Sequence, residues 1–397
     1  MAENYGTVAS GRKQTKARTG IRGRYGYMDF SFLLIICTLL VIGILMMFSA
    51  SYAWALEESG GESGTGYATK QMFMASVGVV AMIVISYIDY HKFFKPIASI
   101  GLYVLCVVLL LAVLLKGITE GGATRWIVIG PLNFQPSELT KFGMIILFSY
   151  LIVKNYKNMD KFTVGILPFG FLLGIVVVLL LLQPHLSCTI LICLVSACLM
   201  FVGGVRWKHI FILFIVAVCA LLLGVYILSR GDDGFTYFAT RIQSWLDPFS
   251  DEKGKTWQTC QSLIAIGSGG VFGLGLGESR QKFLYLPETK NDFVFAIVCE
   301  ELGFIGAVTI VLLFALLVIR GFYIASKAAD KFGMLITIGV TVQVGIQAFF
   351  NIAVVSNLIP NTGISLPFFS YGGTALIMQL AEMGVVLNIS RQASMDT

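Results

Sequence analysis

The sequence predicts an all-α polytopic membrane protein of ten transmembrane helices. Three observations lead there. Apolar residues are 57% and charged residues 13% of the 397 positions, and mean hydropathy is +0.84; soluble domains sit near roughly half and a quarter. The apolar residues gather in runs close to the ~20 residues that a helix needs to cross hydrocarbon. Basic residues recur in every second connection, as the positive-inside bias requires of a polytopic chain.

In chain order, residues 1–25 form a polar tail with Arg12, Lys13, Lys16, Arg18, Arg22 and Arg24. They read as a disordered cytoplasmic segment. The first run, 30–51, starts too late and is too long for a cleavable signal peptide. An acidic connection with Glu57, Glu58 and Glu62 leads to run 72–89, then Lys92 and Lys95 precede run 97–115. A polar connection leads to run 139–153, and Lys154, Lys157 and Lys161 lead to run 163–182. Run 186–203 follows, then Arg206 and Lys208, then run 210–228. Residues 230–291 form a large loop between the seventh and eighth helices. Run 293–319 is followed by Arg320, Lys327 and Lys331, then runs 333–354 and 370–389, and 392–397 are a short tail. The basic connections place both termini in the cytoplasm and 230–291 outside. Residues 26–391 thus read as one membrane domain. The net charge of +6 is a topology signal. Basic residues that abut a span give no case for a nucleic-acid partner, and the surrounding lipid is the natural one.

Other classes drop out. There is no Gly-x-x-x-x-Gly-Lys-Ser/Thr loop and no long cytoplasmic connection, so no nucleotide site is expected. Eight Cys lie scattered, mostly in apolar runs and without a Cys-x-x-Cys pair, as packing residues. His91, His185 and His209 are far apart in sequence, which argues against a zinc site.

Three segments collect the polar residues. The first runs from Gly121-Gly122-Ala123-Thr124-Arg125-Trp126 to Gln135-Pro136-Ser137-Glu138, with Lys141 one turn later. Pro136 suits a helix start and Glu138 a first turn. Glu138 and Lys141 share a helix face and can pair; a plain helix-start ion pair is as good a reading as function. Arg125 offers a bidentate fork for phosphate or an ordinary interface anchor. The second is the long loop, opening at Arg241-Ile242-Gln243-Ser244-Trp245. Its stretch from Gln258 to Ile266 is amphipathic and suits a position flat on the membrane. The Gly-rich run 267–277 suits an anion nest or a flexible loop. Lys282 follows, then Leu286-Pro287-Glu288 and Asp292, an acid where the chain re-enters the membrane. Such an acid is a functional candidate by default. Glu300 and Glu301 lie about 12 Å deeper at 1.5 Å per residue, and read first as buried partners of a Lys or Arg. The third segment, Asn357 to Gly373, interrupts a span with two prolines and three glycines; broken backbone at that depth must be buried in protein or line a cavity.

Together these motifs resemble the SEDS family (shape, elongation, division and sporulation), typified by FtsW, RodA and SpoVE, and the FtsW/SpoVE branch most. The resemblance rests on Gly122-Ala123-Thr124-Arg125-Trp126, Gln135-Pro136-Ser137-Glu138-x-x-Lys141, Ala265-Ile266-Gly267-Ser268-Gly269-Gly270, Leu286-Pro287-Glu288-x-x-x-Asp292-Phe293 with Glu300-Glu301-Leu302-Gly303, and Leu366-Pro367-Phe368-x-Ser370-Tyr371-Gly372-Gly373. Two positions depart from the family pattern. Gln183-Pro184-His185-Leu186-Ser187 stands where Gln-Pro-Asp-Leu-Gly is frequent, and Asn291 stands where Thr precedes the acid.

The resemblance implies a ten-span peptidoglycan glycosyltransferase at the outer face of the bacterial cytoplasmic membrane. It acts on lipid II at the division septum or in sporulation, with a class B penicillin-binding protein and other divisome membrane proteins as partners. The rival functions are a lipid II flippase and a non-catalytic scaffold for the penicillin-binding protein. The resemblance implies Asp292 as the catalytic acid-base group. Arg125, Glu138, Lys141, Lys282 and Ser370 are the candidate substrate-binding residues. A divalent cation, Mg or Mn, held by Glu138 and Asp292 is the candidate cofactor.

Overall fold

In a computed structural model the structure describes residues 26–93, 95–120, 123–129, 132–212, 215, 240–251, 254 and 256–393. The chain runs α1 (Phe30–Glu58), α2 (Gly66–Tyr87), α3 (Tyr90–Phe93), α4 (Pro96–Lys116), β1 (Ile118–Glu120), β2 (Ala123–Ile129), β3 (Leu132–Phe134), α5 (Pro136–Asn155), α6 (Phe162–Gly165), α7 (Leu167–Leu182), α8 (Leu186–Val202), α9 (Trp257–Ser268), α10 (Val294–Lys327), α11 (Lys331–Val355) and α12 (Thr374–Gln392). Seven candidate spans are long and apolar enough to cross a membrane, and α8 is a shorter apolar helix. The tenth apolar run of the sequence is α12. The seventh, 210–228, lies almost wholly outside the described residues, as do the basic tail 1–25 and the start of the long loop.

Local chemistry sets the helix ends. Asp29 caps α1 by accepting from the Phe32 amide at 2.9 Å, and Arg320 Nε reaches both of its oxygens at 3.0 and 2.9 Å. A carboxylate at a helix N-terminus also opposes the dipole. Asp330 caps α11 through Gly333 N and receives the Tyr90 hydroxyl at 2.9 Å. These contacts join the start of α1 to the last turns of α10, and the start of α11 to α3, at one end of the bundle. Lys92, Lys95, Lys327 and Lys331 lie in the connections at this end.

Helices α5 and α11 form the buried centre, while α2, α4 and α10 turn most of their apolar surface outward. α2 packs along α12, α10 along α11 and α4 along α5. The connection 117–135, expected as loop, instead holds a three-stranded antiparallel meander in the order β1-β2-β3. The run Trp126-Ile127-Val128-Ile129 is aromatic and β-branched, which suits a strand.

The Gly-rich loop does not form an anion nest. It lies against α10, with Val271, Phe272, Leu274 and Leu276 left exposed, and pairs with that helix where its backbone breaks at Gly303 with φ 66°. Leu274 N donates to Glu300 O and Gly275 N to Glu301 O, both at 3.0 Å, and Phe304 N donates to Gly270 O at 2.9 Å. Each broken backbone thus satisfies the other, as hydrocarbon depth demands. A side chain at Gly273 or Gly303 would collide with the facing backbone. Gly303 lies nine residues past Val294, about 14 Å along a helix. One face of α9 packs against the protein, while Ile264 on the helix stays exposed. Thr259, Cys260, Gln261, Ser262 and Ala265 are buried, and Ser262 Oγ donates to Val355 O at 2.7 Å.

Candidate active site

Asp292 ends a tight turn over 286–293. Leu286 and Phe293 bury their side chains as anchors, and Thr289 Oγ1 donates to Ala50 O at 2.9 Å. The turn is stitched to the broken segment 357–373. Ser370 Oγ donates to Asn291 O at 2.6 Å and accepts from Leu366 N at 2.7 Å; Tyr371 N donates to Lys290 O at 2.8 Å. Buried Asn351, on α11, donates through Nδ2 to both Asp292 O and Ile364 O at 2.7 Å. With its backbone held, the half-buried Asp292 carboxyl makes no hydrogen bond or ion pair among the described residues. A Cβ added at Gly363 would lie 3.2 Å from its Oδ2. Burial and the nearby Glu288 charge push the Asp292 carboxyl up to about 6, against the opposing pull of Arg125 and Arg241.

Arg125 sits on β2 and donates from Nη2 to Pro184 O at 2.5 Å. The adjoining His185 is buried, and its Nδ1 has no hydrogen-bond partner among the described residues. Burial and the charges of Arg125 and Lys141 hold this imidazole well below its ordinary range, so it is neutral at pH 7. Ser187, two residues on, donates its hydroxyl to Thr362 O. The Pro184–Ser187 turn and the 361–363 turn therefore meet beside Asp292.

Among the described residues, the other predicted site residues make no hydrogen bond or ion pair with the Asp292 carboxyl. Lys141 pairs with Glu138 at 2.8 Å and donates to Gln347 Oε1 at 3.3 Å, while Gln347 Nε2 holds Ser365 O at 3.1 Å. Glu382 is a second acid acting on Lys141, and it accepts from Gln343 Nε2 at 2.7 Å. Lys141 thus organises the interior below the site. Lys282 is buried and bonded to Glu301 Oε1 and Ser49 Oγ, each at 3.1 Å, and to Gly277 O at 2.5 Å. It is the structural partner expected for one of the two deep acids. Glu300 instead accepts from the Arg280 and Gln281 amides at 3.0 and 3.3 Å. The charges acting on Asp292 come from Glu288, Arg125 and Arg241, and Lys282 is not brought to it. Ser370 has its hydroxyl engaged by backbone, so it positions the Asp292 turn.

A divalent cation shared by Glu138 and Asp292 would have only these two carboxylates from the described residues and would draw its remaining ligands from substrate phosphates and water. Glu138 is paired with Lys141, and among the described residues no group of three or more His, Cys, Asp or Glu side chains converges to hold a metal.

Sequence reasoning missed Arg241, Asn351, Gln347 and Gly363. A signal was present for two of them. Gln343, Gln347 and Asn351 are spaced four apart in an apolar helix, which lines amides along one face.

Fold and site together define a multi-pass helical membrane protein with an acid and guanidinium groups gathered where broken backbone meets the end of the bundle. The family model described as "Cell cycle protein", that of FtsW, RodA and SpoVE, matches residues 30–395, and the chain belongs to this family. It is 39% identical over 365 residues to "Stage V sporulation protein E" of Bacillus subtilis (strain 168), covering 91% of this chain and 97% of the relative. It is 36% identical over 367 residues to "Probable peptidoglycan glycosyltransferase FtsW" of Geobacter sp. (strain M18), covering 92% and 97%. Among solved structures, a chain of a peptidoglycan synthase complex, described as coordinating polymerization and crosslinking, superposes with TM-score 0.75 at 26% identity, covering 93% of this chain and 99% of that one. The rod shape determining protein RodA of Thermus thermophilus superposes with TM-score 0.65 at 26% identity, covering 93% and 98%.

Proposed function

We propose that this chain is a peptidoglycan glycosyltransferase that polymerises lipid II into glycan strands at the outer face of the cytoplasmic membrane, at the septum or in sporulation. The observation that carries this reading is Asp292. Its backbone is clamped and its carboxyl is without a hydrogen bond among the described residues. Its proton affinity is tuned to about 6, near the range useful to a general base. The alternation of basic connections supports ten spans with both termini in the cytoplasm and a site on the outer side. The similarity to a chain of a synthase complex that couples polymerization to crosslinking supports a class B penicillin-binding protein as partner.

The donor sugar of lipid II carries an α-linked diphosphate, and the product bond is β, so one displacement with inversion suffices. The acceptor hydroxyl loses its proton to Asp292 as its oxygen attacks the anomeric carbon. The bond to diphosphate breaks, and the leaving group keeps the electron pair. Arg125 lies beside Asp292 with its guanidinium fixed by Pro184 O, a group suited to the charge that develops there. The step needs a base and cationic stabilisation of the leaving group, without the second carboxylate of glycoside hydrolysis. The energy arrives in the diphosphate bond.

Purified wild type and Asp292→Asn should be compared for glycan formation from lipid II, alone and with the partner. Loss of polymerisation with normal membrane insertion is the expected outcome. Glycan synthesis at the wild-type rate by the Asn variant would remove Asp292 from the reaction. Lipid movement across sealed vesicles without new glycosidic bonds would point to a transporter.

A further inference from the structure

We propose that Arg241 is a second guanidinium gripping the diphosphate of the lipid-linked donor, acting with Arg125 beside Asp292. The inference rests on the glycosyl-transfer reading and deepens it.

Arg241 lies on a helical turn over 240–246. Its Nη1 donates to Asn361 O. Asn361 is itself fixed, since its Nδ2 donates to Gln258 Oε1 at 2.9 Å and its Oδ1 accepts from Gly363 N at 3.1 Å. Gly363 is the residue that lies against the Asp292 carboxyl. Asn357 Nδ2 ties the same helical turn down by donating to Trp245 O at 3.1 Å. Arg125 reaches the site from another element, held by Pro184 O. The two anchoring turns touch through the Ser187 hydroxyl and Thr362 O. Two arginines, each aimed by a backbone carbonyl, are thereby brought to one acid.

Charge counting says why two are required. A diphosphate diester carries one negative charge on each phosphate, and a guanidinium matches one phosphate as a bidentate fork. Among the described residues, the charged groups acting on Asp292 are Glu288, Arg125 and Arg241. Two positive and two negative side chains, counting Asp292 itself, give 2 − 2 = 0. Without Arg241 the sum is 1 − 2 = −1, and an incoming dianion meets net repulsion. Among the described residues, Arg241 is thus the group that offsets this repulsion.

The test uses the full-length purified protein. Arg241→Gln keeps an N–H donor for Asn361 O and removes the charge; Arg241→Lys keeps the charge and loses the fork. Rates are measured against lipid II concentration and against added inorganic pyrophosphate as competitor. Charge-assisted hydrogen bonds are worth about 1.5–3 kcal/mol, so Arg241→Gln should raise KM at least about tenfold and weaken pyrophosphate inhibition by a similar factor. Arg241→Lys, the variant to read if the Gln form does not fold, should fall between. Unchanged KM and unchanged pyrophosphate inhibition in the folded variants would overturn the proposal. A loss confined to kcat would overturn it too, by reducing Arg241 to a positioning residue for the 361–363 turn. Should Asp292→Asn keep polymerising while Arg241→Gln loses pyrophosphate affinity, the base assignment fails and the diphosphate site stands.

Discussion

Gly363 presses its backbone against the Asp292 carboxyl, leaving 3.2 Å between Oδ2 and the place a Cβ would occupy. Its φ of +71° also lies in the region that L side chains enter at a cost of roughly 1–2 kcal/mol. Gly363→Ala should therefore strain the turn and push the acid. A shift of about 1 Å in a reacting group can cost ~100-fold in rate. The expected outcome is a large fall in polymerisation with only a small fall in thermal midpoint. Unchanged activity would show that the acid has room to move.

The Asp292 carboxyl titrates near 6, which fixes the sign of a pH profile. A base works ionised, so activity should fall as pH drops through about 6 and stay level above it. Glu288→Gln removes a negative neighbour that raises this value, so the acid limb should move to lower pH. Asn291 Nδ2 donates to Glu288 Oε2 at 2.6 Å, and the Gln carbonyl can replace that acceptor. Folding linkage has the opposite sense. A carboxyl whose folded value is raised favours folding at low pH and loses that advantage as pH rises from about 4 through 6. Asp292→Asn should thus be at least as heat-stable as wild type at pH 7 while inactive. An acid limb that Glu288→Gln leaves in place would remove Asp292 as its source.

The buried Lys282–Glu301 pair joins the returning loop to α10 at the level of the Gly303 break. Removing one partner of such a pair strands a charge and costs about 3–5 kcal/mol. Lys282→Ala should lower the thermal midpoint in detergent sharply, and Lys282→Met with Glu301→Gln should recover much of the loss. A stable Lys282→Ala protein with weakened affinity for lipid II would instead restore a direct substrate role to Lys282.

The apolar runs located the described spans because length and hydrophobicity alone decide what crosses a bilayer. Motif order was equally legible at the Asp292 turn and at 357–373. Two features were not. The strand bearing Arg125 is short and flanked by Gly121-Gly122 and Gly130-Pro131, so its period was hard to separate from loop. The position of the Gly-rich run depends on pairing with a helix break about thirty residues later in sequence, and no local pattern encodes that partner. Lys282 misled for a related reason: a lysine near a motif looks like a phosphate ligand until its buried acid is located.

The amide row on α11 is where the sequence held more than was read. Asn351 supplies two hydrogen bonds, one to Asp292 O and one to Ile364 O, and so joins the acid's turn to the segment that walls the site. Asn351→Leu would leave two carbonyls in a buried setting without this donor, at about 1–3 kcal/mol each. That is a severe loss for one substitution, so the thermal midpoint should fall clearly. Asn351→Asp keeps the size but replaces the donating amide with an acceptor while ionised, so it should fail in the same way. Because the site sits on this clamp, activity should fall further than the population of folded protein does. Measuring rate per folded molecule, by active-fraction size exclusion at a temperature where the variant holds together, separates the two. A variant that folds less but works normally per folded molecule would reduce Asn351 to a packing residue and leave the Asp292 turn to be held by Ser370, Leu286 and Phe293.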